Sequence, residues 1–260
     1  MVTKYDTIGI NYNLTRRADP YLVERLHFHL QPKADRLYLD IGCGTGNYTN
    51  ALQQNGVQMI GIEPSKEMLA KAKQKNKLIK WIQGTSETIP LKNESVNGCI
   101  ATLTIHHWMN LYNAFKEIYR VLKSVSRLVI FTSTPKQMEG YWLNHYFPKM
   151  LQNSMGQMPS YANVEENLLK NGFKISNLEP YSVKSDLQDF FLYSGKERPE
   201  LYLKPQIRHG ISSFSSLSNK EEIEQGLLEL QDDIASGKIN TIIEHHKNDG
   251  GDYVFIVAEK

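Results

Sequence analysis

Apolar positions in the first half of the chain follow two alternating patterns. Short apolar runs at 37–41, 57–62, 79–82, 98–103 and 127–132 read as buried strands. Between them, polar segments carry apolar residues at helical spacing. Asp19 followed by Pro20 is a helix start, an N-cap with proline at the first helical position, and predicts a helix to about residue 30. Residues 46–54 read as a helix that Asn55-Gly56 stops. Ser65 caps a helix with Met68, Leu69 and Ala72 on one face, and Asn110 caps another whose Phe115, Ile118 and Leu122 share a face. Strand and helix alternating in this way predict right-handed crossovers and a parallel sheet with helices on both faces, an α/β doubly wound architecture. In such sheets a ligand sits beyond the carboxyl ends of the strands, at the point where strand order reverses.

The second half breaks the rhythm. A helix near 165–170 leads through Asn171-Gly172-Phe173 to a sixth strand ending near 183, and 253–257 is a seventh. Two long stretches interrupt, 133–161 with Tyr141, Trp142 and Tyr146, and 185–252 with Phe191, Tyr193, Tyr202 and a helical segment near 221–237. Stretches this long are rarely structureless in a compact domain. Both are expected to form a helical cap over the sheet's active edge within one domain spanning 1–260; a flanking helical layer without ligand contact is the plainer alternative.

Composition narrows the class. Thirty Lys+Arg against 28 Asp+Glu leave a net charge of +2, which argues against a strongly basic nucleic-acid arm or an acidic tail. Two cysteines, Cys43 and Cys99, cannot make a disulfide framework or a cysteine-rich zinc site. No apolar stretch reaches the roughly 18–20 residues of a spanning helix, and the N-terminus carries no leader-like apolar run, so a cytoplasmic protein without a membrane partner is expected. Lysines 71, 73, 75, 77 and 80 are spaced to scatter around a helix, the mark of a solvated surface rather than an RNA stripe. Glu244, His245, His246 and Asp252 lack a compact metal-ligand spacing, so no metal is expected.

The sharpest signal is Leu-Asp-Ile-Gly-Cys-Gly-Thr-Gly at 39–46. A strand ends at Asp40-Ile41, and the chain turns through Gly42, Gly44 and Gly46 into a helix. Glycines permit positive φ and close ligand approach, and helix-start amides favour an anion. A dinucleotide fingerprint needs glycine at its sixth position, where Asn47 stands. Asp40 beside the turn would repel a diphosphate but suits S-adenosylmethionine, which carries a sulfonium and an ammonium. Glu63 ends the second strand, 21 positions after Gly42, where an acid can accept both ribose hydroxyls of a nucleoside.

These motifs, with GIEPSKEML at 61–69 and GTSETIPLKNESVNGCIATLTIHHW at 84–108, resemble the class I S-adenosylmethionine-dependent methyltransferases, and more narrowly the type-11 methyltransferase family. The resemblance runs from about Tyr5 to Thr132 with the motifs in order; the aromatic half looks like a subgroup of unnamed substrate. It implies a Rossmann-like seven-stranded sheet, mostly parallel with the last strand antiparallel, and transfer of a methyl group to a small-molecule acceptor with S-adenosylhomocysteine as product. It further implies that Asp40 approaches the cofactor's amino end, and that Gly42, Cys43 and Gly44 line its methionine part. Glu63 would hold the ribose, Pro64 and Met68 the adenine side, and Thr102 and Leu103 would border the reacting methyl. Where the family often has Asp-Ala-Glu, this chain has Thr85, Ser86 and Glu87, so the Thr85 hydroxyl or Ser86 backbone would replace the aspartate's contact at a cost of about 1 kcal/mol. Tyr12 and Arg17, preferred over Arg16, lie in a segment that the family folds over the cofactor. His107 is the candidate general base, with His106, Trp108 and Trp142 on the substrate side; the alternative for the histidines is packing of a strand-to-helix corner. Three other readings stay open: a dinucleotide-dependent oxidoreductase, a non-catalytic S-adenosylmethionine-binding protein, and an enzyme using another carbon of the sulfonium. The sequence leaves the acceptor and the oligomeric state open.

Overall fold

The computed structural model describes residues 15–247 and 249–260; Tyr12 lies outside them. The strands are β1 (Leu37–Ile41), β2 (Gln58–Glu63), β3 (Lys80–Gln83), β4 (Val96–Thr102), β5 (Leu122–Thr132), β6 (Lys174–Tyr181) and β7 (Tyr253–Glu259). They form one sheet in the order β3-β2-β1-β4-β5-β7-β6, parallel from β3 to β5, with β7 antiparallel to both neighbours. Strand order reverses between β1 and β4, so the carboxyl ends of β1, β2 and β4 surround the crevice where ligands bind.

Helix α1 (Pro20–Leu30) precedes β1, and α2 (Asn47–Gln54), α3 (Lys66–Lys75) and α4 (Leu111–Val121) connect parallel strands. Three of them start where a capping side chain satisfies an orphan amide: Asp19 accepts from Leu22 N, Ser65 from Met68 N and Asn110 from Asn113 N. Phe115 and Ile118 are buried as the spacing predicts, but Leu122 opens β5 instead of closing α4. That strand starts five residues before the expected Arg127. Between Leu122 and Arg127 its pairing with β4 shifts register, and Val125 adopts φ +58°. A bulge of this kind bends a strand without leaving a periodic apolar signature.

After β5 come α5 (Pro135–Glu139), α6 (Leu143–Tyr146), α7 (Pro148–Gln157) and α8 (Tyr161–Lys170). Between β6 and β7 lie α9 (Pro205–His209), α10 (Ser212–Ser216), α11 (Lys220–Ser236) and α12 (Ile239–His245). The sheet face carrying Leu39, Ile60, Ala101 and Ile130 packs on α4 and α8. The opposite face, through Ile100, Val129, Phe131 and Phe255, joins α1, α2 and the aromatic residues of both long insertions in one apolar cluster. Phe131 touches the rings of Tyr181, Phe191, Tyr253 and Phe255. The inserted helices are thus continuous with the core of the sheet. Among the described residues no helix is long and apolar enough to cross a membrane.

Candidate active site

At the end of β1 the chain doubles back on β2. Gly42 and Cys43 both donate their N–H to the Ile62 carbonyl (2.8 and 3.0 Å), and Gly46 N donates to Cys43 O (2.9 Å). Gly44 N donates to Glu63 Oε2 (2.9 Å), and Ser65 N to Glu63 Oε1 (2.9 Å). At the turn itself the protein consumes the N–H groups of Gly42, Cys43, Gly44 and Gly46. A diphosphate would meet a buried carboxylate and no free donor at these four positions. Glu63 also lines the cavity, and a carboxylate has about four acceptor sites, a capacity suited to vicinal hydroxyls.

Around this turn lies a cavity of about 240 Å³ lined by residues from the ends of β1, β2 and β4 and from the 84–87 loop. Three of its hydroxyls, on Thr45, Ser86 and Thr102, are buried without a hydrogen-bond partner among the described residues. Unsatisfied buried hydroxyls are costly unless a polar ligand engages them. A carboxylate on the wall, hydroxyls without a protein partner among the described residues and turn amides already engaged fit a polar, cationic nucleoside. Arg16 also lines the cavity; its Nε and Nη2 donate to the two oxygens of Asp189 (2.5 and 3.2 Å), and the Tyr48 hydroxyl donates to Asp189 Oδ2 (3.0 Å). A second cavity of about 90 Å³ lies beneath α5, α7 and α10 and shares Arg16 and Leu103 with the first. Leu103 holds φ +51°, a left-handed conformation unusual for a bulky side chain and found where the surroundings enforce it.

The chain's 39–130 segment matches a family described as "Methyltransferase domain". The crystal structure of a protein from Anabaena variabilis, described as a methyltransferase from an antibiotic biosynthesis pathway, superposes with a TM-score of 0.85. It is 31% identical and covers 95% of this chain and 99% of that one. An uncharacterised methyltransferase of Alkaliphilus oremlandii is 32% identical over 169 residues, 64% of this chain and 70% of that protein. The chain belongs to the class I S-adenosylmethionine-dependent methyltransferases. It spans about half the length of the first curated relatives it matches. One, an uncharacterised methyltransferase of Mycobacterium tuberculosis, is 32% identical over 112 residues, 43% of this chain and 46% of that protein.

In this family member, Gly42, Cys43, Gly44, Glu63, Pro64, Met68, Thr85, Ser86, Glu87, Thr102 and Leu103 all line the first cavity. Asp40 does not. It is buried behind the turn, where its Oδ2 accepts from Thr49 Oγ1 (2.6 Å), and burial, reinforced by nearby Glu63, pushes its pKa up to about 7 against the pull of that hydrogen bond. Burial also drives the Cys43 thiol upward, with Asp40 and Glu63 adding to the effect. Glu87 Oε1 accepts from Met109 N (2.8 Å), which ties the 84–87 loop to the turn after β4.

The arginines exchange places with the expectation: Arg17 is exposed, and Arg16 reaches the cavity. His107 and Trp108 line the first cavity, whereas His106 lines the second; the two imidazoles lie 3.8 Å apart between centroids. Trp142, expected on the substrate side, lines neither cavity. It is 1% exposed, donates Nε1–H to the Lys196 carbonyl and packs on Tyr146, Tyr193 and Tyr202. An apolar aromatic in a cap reads the same in sequence whether it faces a ligand or the core, and here the core takes it. Asp252 pairs with Lys196 and accepts from Val183 N, while His245 and His246 bond carbonyls of their own helix. Sequence reasoning missed Asp189, Tyr48, Thr45 and Thr104. Asp189 meets Arg16 across 173 positions, a separation that leaves no local trace.

Proposed function

We propose that the protein transfers a methyl group from S-adenosylmethionine to a small-molecule acceptor by in-line displacement, leaving S-adenosylhomocysteine, in the cytoplasm and without a nucleic-acid or membrane partner. The observation that carries this reading is a cleft with Glu63 at its floor and its turn amides already consumed, sharing Leu103 and Arg16 with a second cavity. The membership of the Anabaena variabilis relative in an antibiotic pathway agrees with a small acceptor.

When bound, the cofactor supplies a methyl group already activated by its sulfonium. The chain's part is to bind and align. Glu63 accepts the ribose hydroxyls, while Gly42 and Gly44 offer backbone without side-chain bulk, and Cys43 a small side chain, to the methionine part. Pro64 and Met68 cover one side of the adenine, and Ser86, Thr85 and Glu87 meet its edge. Arg16 takes the role expected of Arg17, receiving the methionine carboxylate while Asp189 fixes its orientation. Thr102 and Leu103 border the methyl. Alignment of the acceptor against that carbon can supply about 7–11 kcal/mol of the barrier. Of the two histidines, His106 faces the acceptor side, and His107 stands at the cofactor side. The insertions 133–161 and 185–252 close over the acceptor.

Calorimetry with S-adenosylhomocysteine tests the cofactor: a saturable heat is expected, and no heat together with no thermal shift at millimolar ligand rejects the reading. A parallel NADH fluorescence titration is expected to stay flat; quenching that saturates favours the oxidoreductase. Turnover with an acceptor panel should yield S-adenosylhomocysteine. Methylthioadenosine would point to another carbon of the sulfonium, and tight binding without any turnover to a binding protein.

A further inference from the structure

Resting on the methyltransferase reading, we propose that the second cavity is the acceptor site and that its ligand is an uncharged phenolic or enolic hydroxyl, deprotonated by His106. Among the described residues the cavity's one charged side chain is Arg16, held by Asp189, and none of its lining residues is a carboxylate. An ammonium ligand would have no counter-charge there, and it would sit beside the guanidinium and the cofactor's sulfonium. Amines, protonated near neutral pH, are thereby excluded.

Three serines of the cavity turn to protein partners. Ser154 Oγ donates to Ser213 Oγ (2.8 Å), and Ser133 Oγ donates to the Asp252 carbonyl (2.9 Å). The rest of the wall is mostly apolar, Leu103, Met138, Met158, Phe191, Ile211 and Leu217, with Gln157, Ser212 and Tyr253 as its further polar side chains. The volume of about 90 Å³ is somewhat below the roughly 150 Å³ that holds a benzene ring in an apolar core, and the two methionines are side chains that adapt to an irregular guest. A single ring with one hydroxyl enters once these methionines move aside.

His106 supplies the titratable group on the rim nearest β4. An imidazole takes the proton of a phenol, whose pKa is about 10, at a far smaller energetic cost than that of an aliphatic alcohol, which holds its proton more tightly. The step balances. The O–H proton goes to the imidazole, the oxygen pair forms the new O–C bond, and the C–S bond breaks with its pair on sulfur, leaving a neutral thioether, a methyl ether and an imidazolium.

The test is saturation-transfer NMR on the full chain saturated with S-adenosylhomocysteine, with 4-methylphenol and benzylamine as probes of similar size. We expect 4-methylphenol to bind and to move the imidazole resonances of His106, assigned by their loss in His106→Gln, and benzylamine to give no signal. Met158→Trp, at the partly exposed rim, should weaken 4-methylphenol at least tenfold and leave the homocysteine affinity within twofold. Equal or stronger binding of benzylamine overturns the proposal. So does unchanged 4-methylphenol binding in a Met158→Trp variant that still binds the homocysteine, or His106 resonances that do not move. Failure of the wild type to bind the homocysteine is a separate result, and it removes the methyltransferase reading along with this one.

Discussion

Gly42 and Gly44 share a positive φ, +71° and +56°, but not a neighbourhood. A Cβ on Gly42 would fall 2.0 Å from Thr104 Oγ1, whereas one on Gly44 would meet only Met68 Sδ at 3.6 Å. Left-handed backbone costs an L-residue roughly 1–2 kcal/mol, so Gly44→Ala should lose about that much in urea unfolding. Gly42→Ala should lose clearly more, because the turn and the Thr104 corner cannot both stay; equal losses in the two variants would refute this. Glu63 carries a different kind of burden. Its oxygens anchor two amides and still face the cavity. Glu63→Gln keeps the shape but gives up charged acceptor capacity worth about 1.5–3 kcal/mol. Calorimetry should therefore find S-adenosylhomocysteine binding weakened by about ten- to a hundredfold, with the fold retained. An unchanged affinity would remove Glu63 from the ribose.

The two inserted segments are held to one another by aromatic and polar pairs. Tyr141 stacks on Tyr193 at 3.8 Å, Tyr193 OH accepts from Trp142 N (3.1 Å), and the Tyr202 hydroxyl accepts from Gly195 N (3.1 Å). Trp142→Ala should cost about 3–5 kcal/mol, the range for emptying a buried aromatic site. It should leave S-adenosylhomocysteine affinity unchanged in whatever fraction folds, since Trp142 lines neither cavity. A binding defect without a stability loss would place it on the ligand instead. At the junction of the elements, Arg16, Tyr48 of α2 and Asp189 meet, with Asp189 1% exposed. Removing one partner of such a buried pair typically costs about 3–5 kcal/mol. Asp189→Ala should therefore lower the unfolding midpoint as well as cofactor affinity, and an unaltered melt would show that the pair is idle.

For the molecule as a whole, Asp40 links stability to pH. Its folded pKa, raised from 3.8 to about 7, means that between those values the native state keeps a proton the unfolded chain has lost. Stability therefore falls as pH rises through that window. At about 1.4 kcal/mol per unit, the contribution reaches at most about 4 kcal/mol. Asp40→Asn retains an acceptor for Thr49 and should flatten the slope of urea-derived stability between pH 4 and pH 7; a parallel slope in the variant would exclude Asp40 as its source. S-adenosylhomocysteine at a hundred times its Kd should stabilise the folded chain by about 2.7 kcal/mol, visible as a higher melting temperature.

The order of apolar runs and caps was enough to set out the parallel half of the sheet, because Asp19, Ser65 and Asn110 act on their own helices and buried strands announce themselves locally. Glu63 and the glycine turn were legible for the same reason: each sits where a strand ends, and strand ends are local events. The start of β5 was not, since its first residues are set by pairing across a bulge with β4. Nor was the choice of Arg16 over Arg17, which depends on Asp189 arriving from 173 positions away. Whether Trp142 or His106 would face a cavity was decided by how the inserted helices settle on the sheet. Such packing sums many weak contacts between residues distant in sequence, and no short window of the chain contains both sides of them.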